Sequence, residues 1–497
     1  MSVPTSGLVG DKGLSRDDLG LAGSISIGLS STAPAYSLAS SLGFVVLAVG
    51  VHAPAAFILA FIPMLFTAFA YRELNAAVPD CGTTFTWASI AFGRTIGWLG
   101  GWGLALSGIV VLANLADVAG TYLWLLVSEE LARDRLLVTA TGVVFIAVMT
   151  LTNYRGIDLG EKLQRITIVV QYAALAVLAV LLGRGIATGV SSGGIPISLD
   201  WFNPLSIGGV DAAVYGGLVA LFAYWGWDTC FALNEETRGP RSTPGRAAVI
   251  CTFVLLATYA GVSALAVGFA GAGPEGNGLG NAANAGDVFY ALSDAALGSW
   301  AWIAVVAVLV SAVAATQTTI LPTARGTLAM AVHRALPARF AEVHGTYRTP
   351  TFSTVLLGVV ASVYYGVLSL VSENVLADSI ASLGIFIAFY YGLTGFACVW
   401  YFRHTLRHSV RNLVLRGVLP MMGALLMTAA LVVSAVMMLD PAYGTTAVGG
   451  IGGTFAIGIG ALVLGVGLTV AYFADRRRRD AADRALTELR RVAGPPQ

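Results

Sequence analysis

Stretches of about 20 apolar residues recur along the whole chain, and each is long enough to cross a bilayer as a helix. Charged residues make up only 11% of the chain, against about 25% in soluble proteins, and hydrophobic residues make up 57%. The sequence therefore predicts an all-α polytopic membrane protein with twelve transmembrane helices. They are predicted near residues 22–48, 54–77, 97–127, 136–153, 163–183, 211–233, 247–271, 300–330, 352–371, 377–402, 413–438 and 450–474.

The basic residues predict how these helices are oriented. If the N-terminus lies in the cytoplasm, the outer loops hold only three of the 28 basic residues, Arg133, Arg135 and Arg184. Cytoplasmic loops of membrane proteins are rich in Lys and Arg, so this bias favours that orientation. Because the number of spans is even, both termini are predicted to lie in the cytoplasm, and the protein is predicted to be a multi-pass protein of the cell membrane.

The two ends of the chain are predicted to be cytoplasmic tails, residues 1–21 and 475–497. The first is polar, which does not suit a signal peptide. The second begins with the basic cluster Arg476–Arg479 and continues in a helix-forming stretch at Ala481–Leu489, so we expect it to associate with anionic membrane lipid. A short amphipathic helix is also predicted in the outer segment 284–298.

Several functional classes do not fit this sequence. A net charge of +1 gives no basic footprint for nucleic acid. The five histidines lie at span ends or in loops, where they cannot serve as axial ligands of an intramembrane haem. Zinc-protease and Walker motifs are absent, and the four cysteines have no metal-site spacing. We therefore expect neither an enzyme nor a primary pump, with no cofactor and no metal, although uncoupled conduction by a channel stays open.

Two of the predicted spans contain residues that interrupt a helix. Span one contains Gly28 and Pro34 around a Ser/Thr run, and span six contains the run Tyr224–Asp228 with Gly226 at its centre. A helix broken inside the membrane exposes backbone groups that are tolerated only where they line a cavity or bind a ligand. Paired interruptions in corresponding halves indicate the binding site of a secondary transporter.

The interrupted segments supply the candidate substrate site. The freed amides of an outer half-helix suit a carboxylate, while freed carbonyls and Asp228 suit an ammonium group or a cation. Two structural alternatives stay open: Pro34 only kinks span one, or Asp228 only caps the inner half of span six. The predicted substrate-binding residues are Ser30, Ser31, Thr32, Ala33, Tyr224, Trp225, Gly226, Trp227 and Asp228.

Six short motifs follow one another along the chain. They are Tyr71–Leu74 with Val78–Trp87, Gly101–Trp102, Asn153 with Gly156, Gly226–Asp228, Glu235–Pro240, and Arg325 with Met330 and Leu336–Pro337. In this order they resemble the amino acid–polyamine–organocation transporter superfamily. The resemblance implies a permease with a five-plus-five inverted repeat, broken helices 1 and 6, and two further C-terminal helices. On that basis, residues 22–402 form the transport core, with repeats at about 22–183 and 211–402, and residues 413–474 form helices 11 and 12.

The resemblance also implies a function. Such a permease moves an amino acid across the membrane by alternating access, coupled to H⁺ or Na⁺ or acting as an exchanger. An organic amine or polyamine is the alternative substrate. The expected partners are therefore a small-molecule substrate, a co-transported ion and membrane lipid.

Two positions depart from the pattern of the superfamily. The usual Gly-Ser-Gly of the first break is replaced by Ser30–Pro34, and proline has no N–H to offer a substrate carboxylate. In span five, Gln171 stands where many members have a lysine, so proton coupling through that position is not expected.

Other polar residues within the spans are candidates for ion coupling. These are Asp117, Gln171, Gln317, Thr318 and Thr319. The alternative for Asp117 is a hydrogen bond in the outer vestibule, and for the span-eight residues it is hydrogen bonding between helices. Glu73, Glu235, Glu236 and Arg325 are predicted to form ion pairs of a cytoplasmic gate rather than to bind substrate.

Overall fold

The computed structural model describes residues 12–189 and 193–494, so residues 1–11 and 495–497 of the two predicted tails lie outside the described chain. Its α-helices are α1 Leu21–Thr32, α2 Pro34–Val49, α3 Ala53–Ala77, α4 Thr84–Phe92, α5 Arg94–Leu125, α6 Glu129–Arg133, α7 Arg135–Tyr154, α8 Ile157–Thr188, α9 Val210–Ala223, α10 Thr229–Ala232, α11 Thr243–Ala270, α12 Val288–Leu297, α13 Trp302–Val332, α14 Thr351–Val371, α15 Glu373–Ala381, α16 Leu383–Phe402, α17 Val410–Asn412, α18 Leu419–Met438, α19 Gly453–Ala474 and α20 Arg476–Ala493. A π-helical turn, Leu413–Val418, precedes α18, and a small antiparallel hairpin, β1 Ala447–Val448 and β2 Ile451–Gly452, precedes α19.

The protein is a multi-pass membrane protein. Ten helical stretches of the described chain are long and apolar enough to cross a membrane. This count differs from the twelve predicted spans for two reasons. The first two predicted spans are continuous in the stretch Leu21–Ala77, and the interrupted sixth span leaves Val210–Ala223 as a shorter apolar helix.

Helix ends follow local signals in the sequence. Asp134 and Asp475 each accept a hydrogen bond from a backbone N–H in the first turn of α7 and α20, and Ser372 does the same for α15. Gly189, in the left-handed conformation, ends α8. The helix predicted within 284–298 is present as α12, and the predicted helix at Ala481–Leu489 is part of the longer α20.

The interior of the bundle is formed by helices near the two interruptions. In an 18-residue apolar window of each stretch, 72% of the window is buried in Gly298–Val332 and in Glu373–Phe402, against 22% in Gly453–Ala474. The most buried helices therefore surround the candidate site, and α19 lies at the periphery of the bundle.

The two ends of the bundle are named here by the chain. The N-terminal face is the end where α1 begins and α3 finishes, and it carries Lys12, Asp80 and Glu235. The opposite face is the end where α2 finishes and α3 begins, and there His52 contacts Asp200.

Candidate functional site

The first interrupted helix breaks at a single residue. Ala33 adopts the left-handed conformation, with φ 50° and ψ 58°, and separates α1 from α2. A non-glycine residue in that conformation costs roughly 1–2 kcal/mol. Pro34 is the first residue of α2, where its missing N–H costs nothing because a first-turn amide has no partner within the helix. The predicted interruption of span one is therefore confirmed, and Pro34 starts a new helix there.

The second interrupted helix meets the first one directly. The turn Tyr224–Asp228 separates α9 from α10, and Gly226 within it has φ 121°. The backbone at Gly226 lies so close to the first break that an added Cβ would be 2.5 Å from the carbonyl oxygen of Ser31. The hydroxyls of Ser31 and Thr229 are 2.8 Å apart and hydrogen bonded. Both interruptions thus form one junction in the interior.

A cavity of about 270 Å³ extends from this junction toward the opposite face. Four predicted substrate-binding residues, Ser31, Thr32, Ala33 and Trp225, line its wall. The remaining lining is rich in hydroxyl groups and apolar side chains, and none of the described lining residues is charged. Beyond the predicted set, its polar lining residues are Tyr36, Ser37, Ser40, Ser41, Asn114, Tyr215, Ser434 and Tyr443.

Asp228 lies behind the wall of this cavity. Its two carboxylate oxygens accept hydrogen bonds from Tyr391 at 2.9 Å and Tyr390 at 3.1 Å, both on α16. The indole N–H of Trp225, which faces the cavity, donates to the hydroxyl of Tyr390. One tyrosine therefore separates the cavity wall from the carboxylate.

No cationic side chain of the described chain lies within ion-pair distance of Asp228, which is 6% exposed. Asp378, 1% exposed, also has no cation but accepts hydrogen bonds from the backbone amides and hydroxyls of Thr445 and Thr446. Four further buried carboxylates are paired with cations. Asp80 and Glu235 contact Lys12, Glu236 contacts Arg325, and Glu73 contacts Arg411 and Arg416. A charged group inside a membrane protein is normally paired. Asp228 is thus a buried carboxylate that is held by two tyrosines and has no cationic partner in the described chain.

The remaining predicted substrate residues lie away from the cavity. Tyr224 is fully buried and donates to the carbonyl oxygen of Phe57 on α3 at 3.1 Å. Trp227 packs against Tyr71 and Tyr391. Ser30 is buried beside the break, and its hydroxyl has no hydrogen-bond partner among the described residues. These side chains pack around the junction on the side away from the cavity.

The first amides of α2 are already in use. The N–H of Ala35 donates to Oε1 of Gln171 at 3.4 Å, and the N–H of Tyr36 donates to the hydroxyl of Ser311 at 3.3 Å. Because Pro34 has no N–H, this helix end presents no cluster of open amides to a substrate carboxylate. The structure therefore places Gln171 at the first break, where its side-chain oxygen accepts a hydrogen bond from the backbone N–H of Ala35.

The candidate coupling residues in α13 point in different directions. Gln317 accepts a hydrogen bond from Gln164 of α8 at 2.6 Å, and its carbonyl accepts one from Asn153 of α7. Thr318 donates to carbonyls of its own helix, and the hydroxyl of Thr319 has no partner among the described atoms. Gln317 and Thr318 thus make contacts between and within helices, and none of the three lines the cavity.

Asp117 lies outside the junction. It accepts hydrogen bonds from Arg135 at 2.7 Å and from Tyr365 at 3.0 Å, and its side chain is 26% exposed. Its neighbour Asn114, one helical turn earlier on α5, does line the cavity and donates to Tyr36. The structure thus places Asp117 in an ion pair of α5 with α7.

The N-terminal face is closed by a buried ion cluster. The ammonium group of Lys12 contacts Asp80 at 2.7 Å and also Glu235, and His333 contacts Asp80 at 3.1 Å. Burial disfavours the charged form of Asp80, but the neighbouring Lys12 and His333 outweigh it and hold the pKa of Asp80 well below its usual range. For Lys12, burial is likewise outweighed by Asp80, and its pKa is raised well above the ordinary value. Lys12 and Asp80 therefore stay charged at neutral pH.

Further ion pairs reinforce this closure. Arg325 binds Glu236 through two hydrogen bonds of 2.9 and 3.0 Å, and the backbone amides of Asp18 and Leu19 donate to the carbonyl of Glu236. Asp80, Cys81 and Glu235 lie close enough together to form a metal site. The ammonium group of Lys12, however, contacts both carboxylates, so the cluster is occupied by a cation of the chain itself.

Substitution of Lys12 by glutamine is expected to loosen the N-terminal face. Removing one partner of a buried pair leaves an uncompensated charge, which costs roughly 3–5 kcal/mol. Cys81, fully buried in the closed cluster, is a natural reporter. We expect its labelling by a membrane-permeant maleimide, followed by peptide mass spectrometry, to accelerate in Lys12→Gln. The exposed Arg334 provides the control, and equal labelling in Lys12→Gln and Arg334→Gln would exclude a closing role for Lys12.

Sequence reasoning missed the tyrosines that hold Asp228. Tyr390 and Tyr391 are 162 and 163 residues away in the chain. A pair of tyrosines in an otherwise apolar span was the available signal, because a buried phenol normally needs a hydrogen-bond partner. Lys12 was also missed, because it lies in a polar tail, where a lysine is normally exposed to water.

A comparison with protein families matches residues 19–473 to the amino acid permease family. This chain belongs to that family. The match confirms the resemblance to the amino acid–polyamine–organocation superfamily, whose members are membrane permeases rather than enzymes.

Individual relatives share less than a third of their aligned residues with this permease. An uncharacterised transporter of Mycobacterium tuberculosis is 29% identical over 300 residues, which are 59% of this chain and 61% of the relative. The methylthioribose transporter of Bacillus subtilis is 25% identical over 327 residues, 63% of this chain and 67% of the relative. The branched-chain amino acid permease BcaP of Lactococcus lactis is 25% identical over 215 residues, 41% and 45% of the two chains. The chain thus spans about three-fifths of the first relative's length.

Proposed function

We propose that this protein is a secondary transporter that moves an amino acid across the cell membrane by alternating access. One observation carries the proposal: two interrupted helices join at the base of a cavity, directly in front of a buried carboxylate that lacks a cation. Breaks of this kind expose backbone groups at the midplane, where secondary transporters bind their substrates. Membership of the amino acid permease family supports an amino acid as the first candidate.

Alternating access requires that one end of the bundle be closed while the site is reached from the other. The cavity extends toward the opposite face, and the ion cluster around Lys12 closes the N-terminal face. We propose that the N-terminal face is cytoplasmic, as the distribution of basic residues indicates. We further propose twelve spans, with residues 22–402 as a core of two inverted repeats and residues 413–474 as added helices.

An organic amine is the second candidate substrate, and a separate observation favours it. Gln171 and Ser311 occupy the amides with which the α2 end would bind a carboxylate. Asp228 with its two tyrosines remains suited to an ammonium group, and the indole of Trp225 is suited to stack on one. A substrate with an ammonium group but no carboxylate would use only these groups.

Coupling to H⁺ or Na⁺, or exchange, is proposed as the driving force. Gln171 is uncharged at every physiological pH, so it cannot carry a proton. Asp228 is a buried carboxylate that only Tyr390 separates from the cavity wall, and it is the candidate for coupling as well as for substrate binding.

Uptake by proteoliposomes tests the proposed function. The purified protein is to be supplied with radiolabelled amino acids and with the amines that share their side chains, each with and without an imposed pH gradient. We expect at least one compound to accumulate above the level in empty liposomes, with competition by close analogues. If no amino acid or amine is moved in any condition, the proposed transport function is wrong.

A further inference from the structure

A second cavity lies on the N-terminal face, away from the transport junction. It measures about 380 Å³ and lies between the ends of α4, α16 and α20. Three basic side chains line it: Arg403 and His404 after α16, and Arg490 near the end of α20. None of the described residues that line it is acidic. The cavity is therefore a pocket of positive charge formed by distant parts of the chain.

The surroundings of this pocket are apolar. Trp400 is 48% exposed and Phe92 is 37% exposed, and their ring centroids are 6.1 Å apart. Trp is enriched at the level of the lipid headgroups, and Trp400 lies two residues before the end of α16. The guanidinium group of Arg403 stacks on Trp400, at 4.6 Å from the ring centroid. A basic pocket thus borders an exposed aromatic surface at the end of a helix that is apolar enough to cross the membrane.

Arg490 joins this pocket to the closure of the N-terminal face. Its guanidinium group donates to the carbonyl of Ile90 at 2.9 Å and thereby holds α20 on the end of α4. Ala482, also on α20, packs in one cluster with Leu14 of the N-terminal segment and with Phe85. The ring of Phe85 in turn contacts His333, which binds Asp80. Whatever holds α20 in place therefore supports the closed ion cluster.

We propose that this pocket binds the headgroup of an anionic phospholipid. The phosphate lies among Arg403, His404 and Arg490, and the acyl chains lie along Trp400 and Phe92. Basic pockets of this kind recognise anionic headgroups, whereas a zwitterionic headgroup has no net charge to satisfy them. The bound lipid joins α20 to α16 and stabilises the closed N-terminal face.

Thermal unfolding of the delipidated, full-length protein in neutral detergent tests this site. Phosphatidylglycerol is expected to raise the Tm of the wild type, whereas phosphatidylcholine and inorganic phosphate at equal concentration leave it unchanged. The double variant Arg403→Gln/Arg490→Gln is expected to bind phosphatidylglycerol roughly tenfold more weakly or worse. Arg491→Gln is the matched control, because Arg491 is adjacent, exposed and paired with Glu488.

Two further measurements separate loss of the site from loss of the fold. Ala91→Leu fills the pocket and keeps every basic residue, and it is expected to lose the lipid-dependent shift as well. Native mass spectrometry then counts the retained phosphatidylglycerol in each variant. Equal stabilisation by phosphatidylcholine or by inorganic phosphate would overturn the proposal, and so would a full shift in the double variant or in Ala91→Leu. None of these results depends on which solute the protein transports.

Discussion

Replacement of Gly226 by alanine is expected to abolish uptake and to destabilise the protein. At φ 121° an alanine is strained, and its Cβ would lie 2.5 Å from Ser31 O and 2.9 Å from Thr32 N. The strain costs roughly 1–3 kcal/mol. Forcing the two backbones apart adds roughly 1–3 kcal/mol more. Because both breaks share this contact, we expect uptake at the level of empty liposomes, together with a lower Tm in detergent.

Gly217→Ala provides the matched control. Gly217 lies within the same interrupted span, on α9, and an added Cβ there meets nothing within 4 Å. Alanine is also the better helix former, by roughly 1 kcal/mol. Uptake by Gly217→Ala should therefore equal that of the wild type. Wild-type uptake by Gly226→Ala would show that close contact between the two breaks is not needed for transport.

Much of the fold could be predicted because bilayer-spanning helices leave a strong signal in a single sequence. Backbone chemistry located the breaks as well, since Pro34 and Gly226 limit which conformations and hydrogen bonds the chain can form. The number of membrane-crossing stretches was harder to predict. Apolar residues continue through the bend between α2 and α3, and the interrupted span leaves only the short apolar helix α9.

The candidate site was only partly predictable, because side-chain direction depends on neighbouring helices. Trp225 and Tyr224 are adjacent in sequence, yet one lines the cavity and the other packs against α3. Asp228 was identified as costly to bury, but its partners on α16 could not be deduced without the packing of the bundle. The role of Gln171 was likewise hidden, since its contact with Ala35 joins residues 136 positions apart.

Asp228→Asn is expected to impair transport of a cationic amine while preserving the fold. Asparagine keeps an oxygen that can accept from a tyrosine, and it removes a buried charge that has no cation in the described chain. The Tm should therefore be unchanged or higher. Loss of the countercharge for a buried ammonium group costs roughly 2–5 kcal/mol. The KM for a cationic amine should then rise by about thirtyfold or more, because each 1.4 kcal/mol is about tenfold.

The pattern across substrates distinguishes the roles open to Asp228. If the carboxylate binds the substrate ammonium, Asp228→Asn raises the KM for an amine more than for the zwitterion with the same side chain. If the carboxylate instead carries the coupling ion, KM is unchanged and uptake no longer responds to the gradient, while exchange persists. Asp211→Asn, an exposed carboxylate in the first turn of α9, is the control and should match the wild type in both assays. Wild-type KM and gradient response in Asp228→Asn would leave this carboxylate only the structural role of holding Tyr390 and Tyr391 in place.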